Sequence, residues 1–243
     1  EILKNTSRDF YLSLWVLFLG IHILRTFTDK KYKLKELDLE FLTKIKSLFS
    51  SIIFINKSSL VENQILHASK IFLTRKNWKA IGSGVNYNFA KYSAKKIIQK
   101  LNRVCSFDVL ENHKHIDMSA EAAILVYIAG ITKHGYQEDA MSEIKKMLAH
   151  NSLPIIFTNI GDLRFDTFST EIEDVQKNVI ENISIPVIKT PKVDIIYSYP
   201  IYVLLTSKFI ESVKTFKNSE SDLVNKVALL EADSKYLHEN FWK

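Results

Sequence analysis

From Trp78 onward, short apolar runs alternate with longer amphipathic stretches. The runs 78–81 (WKAI), 104–109 (VCSFDV), 123–129 (AILVYIA), 153–158 (LPIIFT) and 185–189 (IPVIK) have strand length. Between them, residues 86–101, 136–150 and 169–182 place apolar side chains at helical spacing. Strands separated by helices predict a parallel sheet covered on both faces. The runs at 123–129 and 153–158 lack polar alternation, as strands buried on both sides require. The expected fold is therefore α/β, with three α/β/α layers around a five-stranded parallel sheet.

The first 75 residues follow a different period. Residues 6–28 read as a buried helix, with Thr6 or Ser7 as N-cap and Asp9 at the positive helix end. Leu34, Leu37, Phe41, Leu42, Ile45 and Leu48 repeat at helical spacing over 34–56, and Ser58-Ser59 is placed to cap a third helix running to Thr74. After Pro191 two further helices are expected, at 199–216 and 220–234. The pattern divides the chain into an N-terminal helical segment (1–75), an α/β domain (76–218) and a C-terminal helical tail (219–243).

Composition narrows the class. The 243 residues are 47% hydrophobic, 25% charged and 12% aromatic, with six glycines and four prolines. This supports a globular core and argues against a many-turned all-β fold. A net charge of +6 is spread among interleaved acids; without a basic stripe or a recognisable module, nucleic acid is not an expected partner. The apolar run 10–24 is shorter than a membrane span and carries His22, so no membrane association is expected. One cysteine, Cys105, cannot form an internal disulfide and suits a reducing, cytoplasmic setting. Its place in an alternating run marks it as a packed strand thiol. The chain opens on Glu1, with no initiator methionine and no signal-peptide pattern.

The stretch WKAIGSGVNYNFAKYSAKK carries the main chemical signal. A short strand ends in Gly82-Ser83-Gly84 and a helix follows at once. Such a turn lets a ligand approach the backbone, and the helix start offers N–H groups to an anion. Ser83 and Asn86 add polar side chains. The dinucleotide fingerprint needs a third glycine where Tyr87 stands, so no cofactor is expected. A tight turn without a ligand reads equally well. In this crevice Gly84→Val is expected to block ligand while leaving the fold intact. His113 and His115 alternate, but without a third donor they indicate no metal.

Four segments in collinear order carry a resemblance: IGSGVNYNFAKYSAKKIIQ, then ILVYIAGITKHGYQEDAMSEIKKMLAHNSLPIIFTNIGD, then IPVIKTPKVDIIYSYPIYVLLTSKFIESV, and finally DLVNKVALLE at 222–231. Together they resemble the second sugar isomerase (SIS) subdomain of the glutamine–fructose-6-phosphate aminotransferases. The N-terminal helix resembles the one that ends the first such subdomain. The resemblance implies a flavodoxin-like sheet and a phosphorylated sugar or sugar nucleotide at Gly82, Ser83, Gly84 and Asn86. It also implies a homodimer and a place within a longer protein.

It implies catalytic groups as well. His115, after Lys114, falls at the position of the family's ring-opening histidine, although Ile116-Asp117 replaces the Gly-Pro that follows there. Lys226 stands five residues before Glu231, the spacing of the family's catalytic lysine and glutamate. Gln99 occupies the place of the carboxylate that moves a proton between sugar carbons, and an amide cannot act as that base. The serine- and threonine-rich loops that hold the sugar phosphate in the first subdomain are absent from this chain. Three functions therefore stay open: an isomerase or aminotransferase half acting on a hexose 6-phosphate, a catalytically silent phosphosugar-binding module, and an assembly unit.

Overall fold

A computed structural model describes residues 8–28, 34–115, 122–130, 134–150, 152–160, 185–193 and 197–218, without the side chains of 24–28, 34–38, 113–115, 134, 135 and 137. Three helices come first: α1 (Arg8–Thr28), α2 (Leu34–Lys57) and α3 (Ser59–Leu73). Ser58 caps α3 by accepting the Val61 N–H, and the helix closes at Thr74. Then follow β1 (Trp78–Gly82), α4 (Val85–Leu101), β2 (Cys105–Asp108), a short 3-10 helix (Leu110–His115), β3 (Ala123–Tyr127), α5 (His134–Ala149), β4 (Leu153–Asn159) and β5 (Val187–Thr190). A last helix, α6, spans 199–218. The helices expected at 169–182 and 220–234 lie outside the described residues.

The five strands form one all-parallel sheet in the order β2-β1-β3-β4-β5. The register sets Trp78 beside both Cys105 and Ala123, Ala123 beside Leu153, and Ile156 beside Val187. The two faces of the sheet enter different cores. Ala80, Leu125, Tyr127, Ile155, Phe157 and Ile188 share a core with α1–α4 and α6. Ile81, Ile124, Val126 and Ile156 face the other way, against α5 and the 3-10 helix. These are the three layers read from the sequence.

Aromatic packing fixes α4 and α6 on the first face. Phe89 stacks on Tyr202 at 4.3 Å, and Tyr127 on Phe157 at 4.6 Å. A buried chain of hydroxyls runs through the same layer, with the Ser93 Oγ 2.6 Å from the Tyr127 Oη and 2.8 Å from the Thr206 Oγ1.

α1 departs from the buried helix that its apolar run suggested. Phe10, Ser13 and Leu14 are buried, but Leu12, Val16, Leu19 and Ile23 face solvent and Trp15 is 74% exposed. Only the stripe that holds Phe10, Ser13 and Leu14 finds the core. No described helix is long and apolar enough to cross a membrane. Cys105 is buried in β2, as read from its alternating run, and burial pushes its thiol up to about 12.

Candidate ligand site at the carboxyl edge of the sheet

Strands β2 and β3 flank β1, so the chain leaves β1 in one direction and returns on its other side. In an open parallel sheet this reversal opens a crevice outside the carboxyl ends of the strands. Gly82, Ser83 and Gly84 sit at that place, with the start of α4 immediately beyond.

The two glycines are required for different reasons. A Cβ built on Gly82 would lie 2.6 Å from the Asn86 carbonyl oxygen, so the strand can approach the helix only without a side chain there. Gly84 has open space around it, but its φ of +58° is disfavoured for residues with a side chain. Gly84→Val therefore strains the backbone as well as entering the crevice. This overturns the expectation that the substitution would leave folding untouched.

The turn also uses part of what was expected to be free. The Asn86 N–H donates to the Ser83 carbonyl at 3.1 Å, and the Tyr87 N–H to the Gly84 carbonyl at 3.2 Å. No side chain caps α4. What the turn leaves unused is on its side chains. Asn86 is 3% exposed and donates Nδ2–H to the Ala129 carbonyl at 3.0 Å, which bridges the start of α4 to the end of β3. Its Oδ1 is buried and accepts no hydrogen bond, and the Ser83 Oγ is buried and unpartnered too. Buried polar atoms are nearly always paired, so two orphans three residues apart in one turn are candidates to meet a ligand's groups.

A second polar side chain shapes the rim. Asn159, at the end of β4, accepts the Gly130 N–H at 2.8 Å through Oδ1. Its Nδ2 donates to the Thr190 Oγ1 at 3.3 Å and to the Pro191 carbonyl at 3.4 Å. One amide thus ties together the ends of β3, β4 and β5. The sequence reading missed Asn159 and Thr190. Their one signal was that each is a polar residue closing an apolar strand run, IIFTN and VIKT.

Of the residues singled out beforehand, Gly82, Ser83, Gly84 and Asn86 meet in this crevice. Tyr87 packs near Phe107, with ring centroids 6.0 Å apart. Gln99 does not join them. It is exposed on α4 thirteen residues past Asn86, about 20 Å along the axis at 1.5 Å per residue. His115 ends the 3-10 helix that follows β2, and its side chain is outside the description. Lys226 and Glu231 also lie outside the described residues. Asp108 ends β2 with its Oδ1 held by the Val109 N–H at 2.7 Å. Among the described residues no group of three metal-ligating side chains occurs. The crevice has the hydroxyl, amide and backbone groups to hold a ligand that carries hydroxyls and an anion. An acceptor such as the Asn86 Oδ1 suits a hydroxyl donor, and the Ser83 hydroxyl can donate to an anionic oxygen.

A scan against protein-family models finds no match, and a search of the curated proteins finds none either. Solved structures do match. One is the C-terminal domain of glucosamine-fructose-6-phosphate aminotransferase from Francisella tularensis, at 11% identity and a TM-score of 0.54 over 75% of this chain. The match covers 45% of that chain, so this protein spans less than half of its length. Another is a protein of E. coli CFT073 solved in complex with a phosphosugar, at 12% identity and a TM-score of 0.50, over 76% of this chain and 94% of that one. Likeness at such low identity concerns the fold.

Proposed function

We propose that this chain, which has the fold of the sugar isomerase (SIS) domains, binds a phosphosugar at the carboxyl edge of its sheet, around Ser83, Gly84 and Asn86. The observation that carries this reading is the pair of buried, unpartnered atoms, the Ser83 Oγ and the Asn86 Oδ1, at the point where the strand order reverses. A sugar hydroxyl meets the amide oxygen. The phosphate meets the serine hydroxyl and the positive end of α4. The E. coli neighbour, solved with its phosphosugar bound, supports the ligand class.

Binding without isomerisation is part of this proposal, and the loss of a base at Gln99 is what supports it. Gln99 offers no base and stands far from the crevice, which itself holds no described histidine. The finer assignment, half of an isomerising aminotransferase acting on a hexose 6-phosphate, would require His115, Lys226 and Glu231 to act together with a further subdomain. A homodimer belongs to the same proposal. Leu12, Trp15, Val16, Leu19 and Ile23 form one solvent-facing stripe on α1, and a second copy would cover it.

Thermal shift with fructose 6-phosphate and glucosamine 6-phosphate tests the site. A ligand at a hundred times its Kd stabilises by about 2.7 kcal/mol. Asn86→Ala should remove most of that response, and no response from the unaltered protein would sink the proposal. A coupled assay for conversion of fructose 6-phosphate to glucose 6-phosphate should stay at background. Turnover there would restore catalytic roles to His115, Lys226 and Glu231. Light scattering should give twice the 28.1 kDa chain mass, falling to the single mass in Trp15→Glu.

A further inference from the structure

A cavity of about 640 Å³ lies away from the sheet edge, bordered by α1, α2, α3, α4 and α6. Its volume is that of a small-molecule site. Part of its lining is apolar, including Ile65 and Leu66 of α3 and Leu204 and Ile210 of α6.

Charge on its walls is unevenly compensated. Lys96 is matched by Asp9, with Nζ 2.7 Å from Oδ2, and the Tyr92 hydroxyl donates to the same oxygen at 3.2 Å. Glu211 is held from outside by Lys214 at 3.3 Å. Lys100 and Lys208 make no salt bridge with a described carboxylate, although Lys100 lies near enough to Asp9 to help lower its carboxyl, and Glu62 makes no described ion pair. The lining itself holds three lysines and three acids, and Lys214 beside Glu211 tips the neighbourhood to a single positive charge.

Two polar atoms on the walls sharpen the picture. The Asn56 Nδ2 and the Ser212 Oγ are buried and make no hydrogen bond. An amide nitrogen can only donate, so an acceptor is missing from its surroundings. Two lysines outside salt bridges, an orphan donor and an apolar part of the lining suit an anion with an apolar body. A sugar would set its hydroxyls against isoleucine and leucine, where nothing can pair with them.

We infer that this cavity is a second ligand site, separate from the sheet edge, which takes an amphipathic organic anion. The carboxylate or phosphate head lies toward Lys100 and Lys208, and the alkyl or aryl body lies on Ile65, Leu66, Leu204 and Ile210. The sheet-edge proposal can fail without affecting this one.

Isothermal titration of the full chain tests it with four probes: octanoate, 1-naphthyl phosphate, and their neutral counterparts 1-octanol and 1-naphthol. At least one anion should bind ten times more tightly than its counterpart, and the tighter head distinguishes a carboxylate from a phosphate ligand. Lys208→Glu should weaken binding at least tenfold. Lys95→Glu makes the same charge change on an exposed position of α4 outside the cavity and should leave binding unchanged. Ser212→Phe should fill the cavity and abolish binding while circular dichroism stays unchanged. Three results would each overturn the inference: no binding of either anion, equal binding of the neutral probes, or equal effects of the two lysine substitutions.

Discussion

Gly82 and Gly84 occupy one turn, yet their substitutions should fail differently. A methyl group on Gly82 must displace backbone of α4, since the Asn86 carbonyl carbon and oxygen lie 2.7 and 2.6 Å from it. A methyl group on Gly84 meets nothing and is penalised only through φ. Gly84→Ala should therefore cost about 1–2 kcal/mol in urea unfolding and leave phosphosugar binding measurable. Gly82→Ala should cost about as much or more by overpacking, and should also lose binding because it moves Asn86. Equal, mild effects would mean that the turn is looser than described. A second contrast concerns two fully buried serines. Ser93 joins Tyr127 and Thr206, whereas Ser69 returns its hydroxyl to the Ile65 carbonyl of its own helix at 2.8 Å. Ser93→Ala should cost about 1–3 kcal/mol by leaving buried hydroxyls short of a partner, and Ser69→Ala should be close to neutral. The Gly-x-Gly turn was legible in the sequence because all its parts are local. The hydroxyl chain was not: its members stand 34 and 113 residues apart, and a serine in an amphipathic helix looks the same whether it is satisfied by its own turn or by another element.

Helices and strands were legible where the period was unambiguous. The Ser58 cap, the end of α3 at Thr74 and the five strand runs all stand within a residue or two of where the pattern puts them. Sidedness was harder to read. The run at 10–24 is apolar all round, so hydropathy alone could not say that one stripe of α1 would lie open. The sheet-edge site shows the same limit. Its β1 side could be read from one segment, but its rim depends on Ala129, Asn159 and Thr190, brought together by pairing of strands distant in sequence. One local feature at this scale escaped notice. Asn102 closes α4 in the left-handed conformation, with φ +51° and ψ +42°. Asparagine tolerates this region better than other side-chain residues do, and glycine better still. Asn102→Gly should be neutral or stabilising by a few tenths of a kcal/mol, while Asn102→Val should lose about 1–2 kcal/mol. Chemical denaturation of the pair measures both, and a stabilising valine would refute the assignment of the cap.

For the molecule as a whole, the groups that resist ionisation lie in the layer where α1–α4 and α6 cover the sheet. Tyr127 and Tyr202 are fully buried, and loss of solvation raises both phenols well above the ordinary value of 10.0. For Tyr127, hydrogen bonds from Ser93 and Thr206 only partly oppose this. Tyr92 is raised by burial and by the adjacent Asp9 charge, and burial alone pushes the Cys105 thiol from 9.0 to about 12. In each case the folded chain holds its proton more tightly than the unfolded chain does. The stabilisation from this source is complete below about pH 9 and is lost as pH rises past the unfolded values, because unfolding then releases protons. The melting temperature should hold steady from neutrality to about pH 8.5 and fall progressively above about pH 9. Tyrosine absorbance gives the sharper test. Of the ten tyrosines, Tyr127 and Tyr202 should ionise only together with loss of the far-ultraviolet circular dichroism. The same transition should release Cys105 to alkylation, since burial in the fold holds its thiol protonated. A single smooth titration of all ten phenols with the dichroism unchanged would show that Tyr127 and Tyr202 reach water in the native protein. The layer of α4 and α6 over the sheet would then not be packed as described.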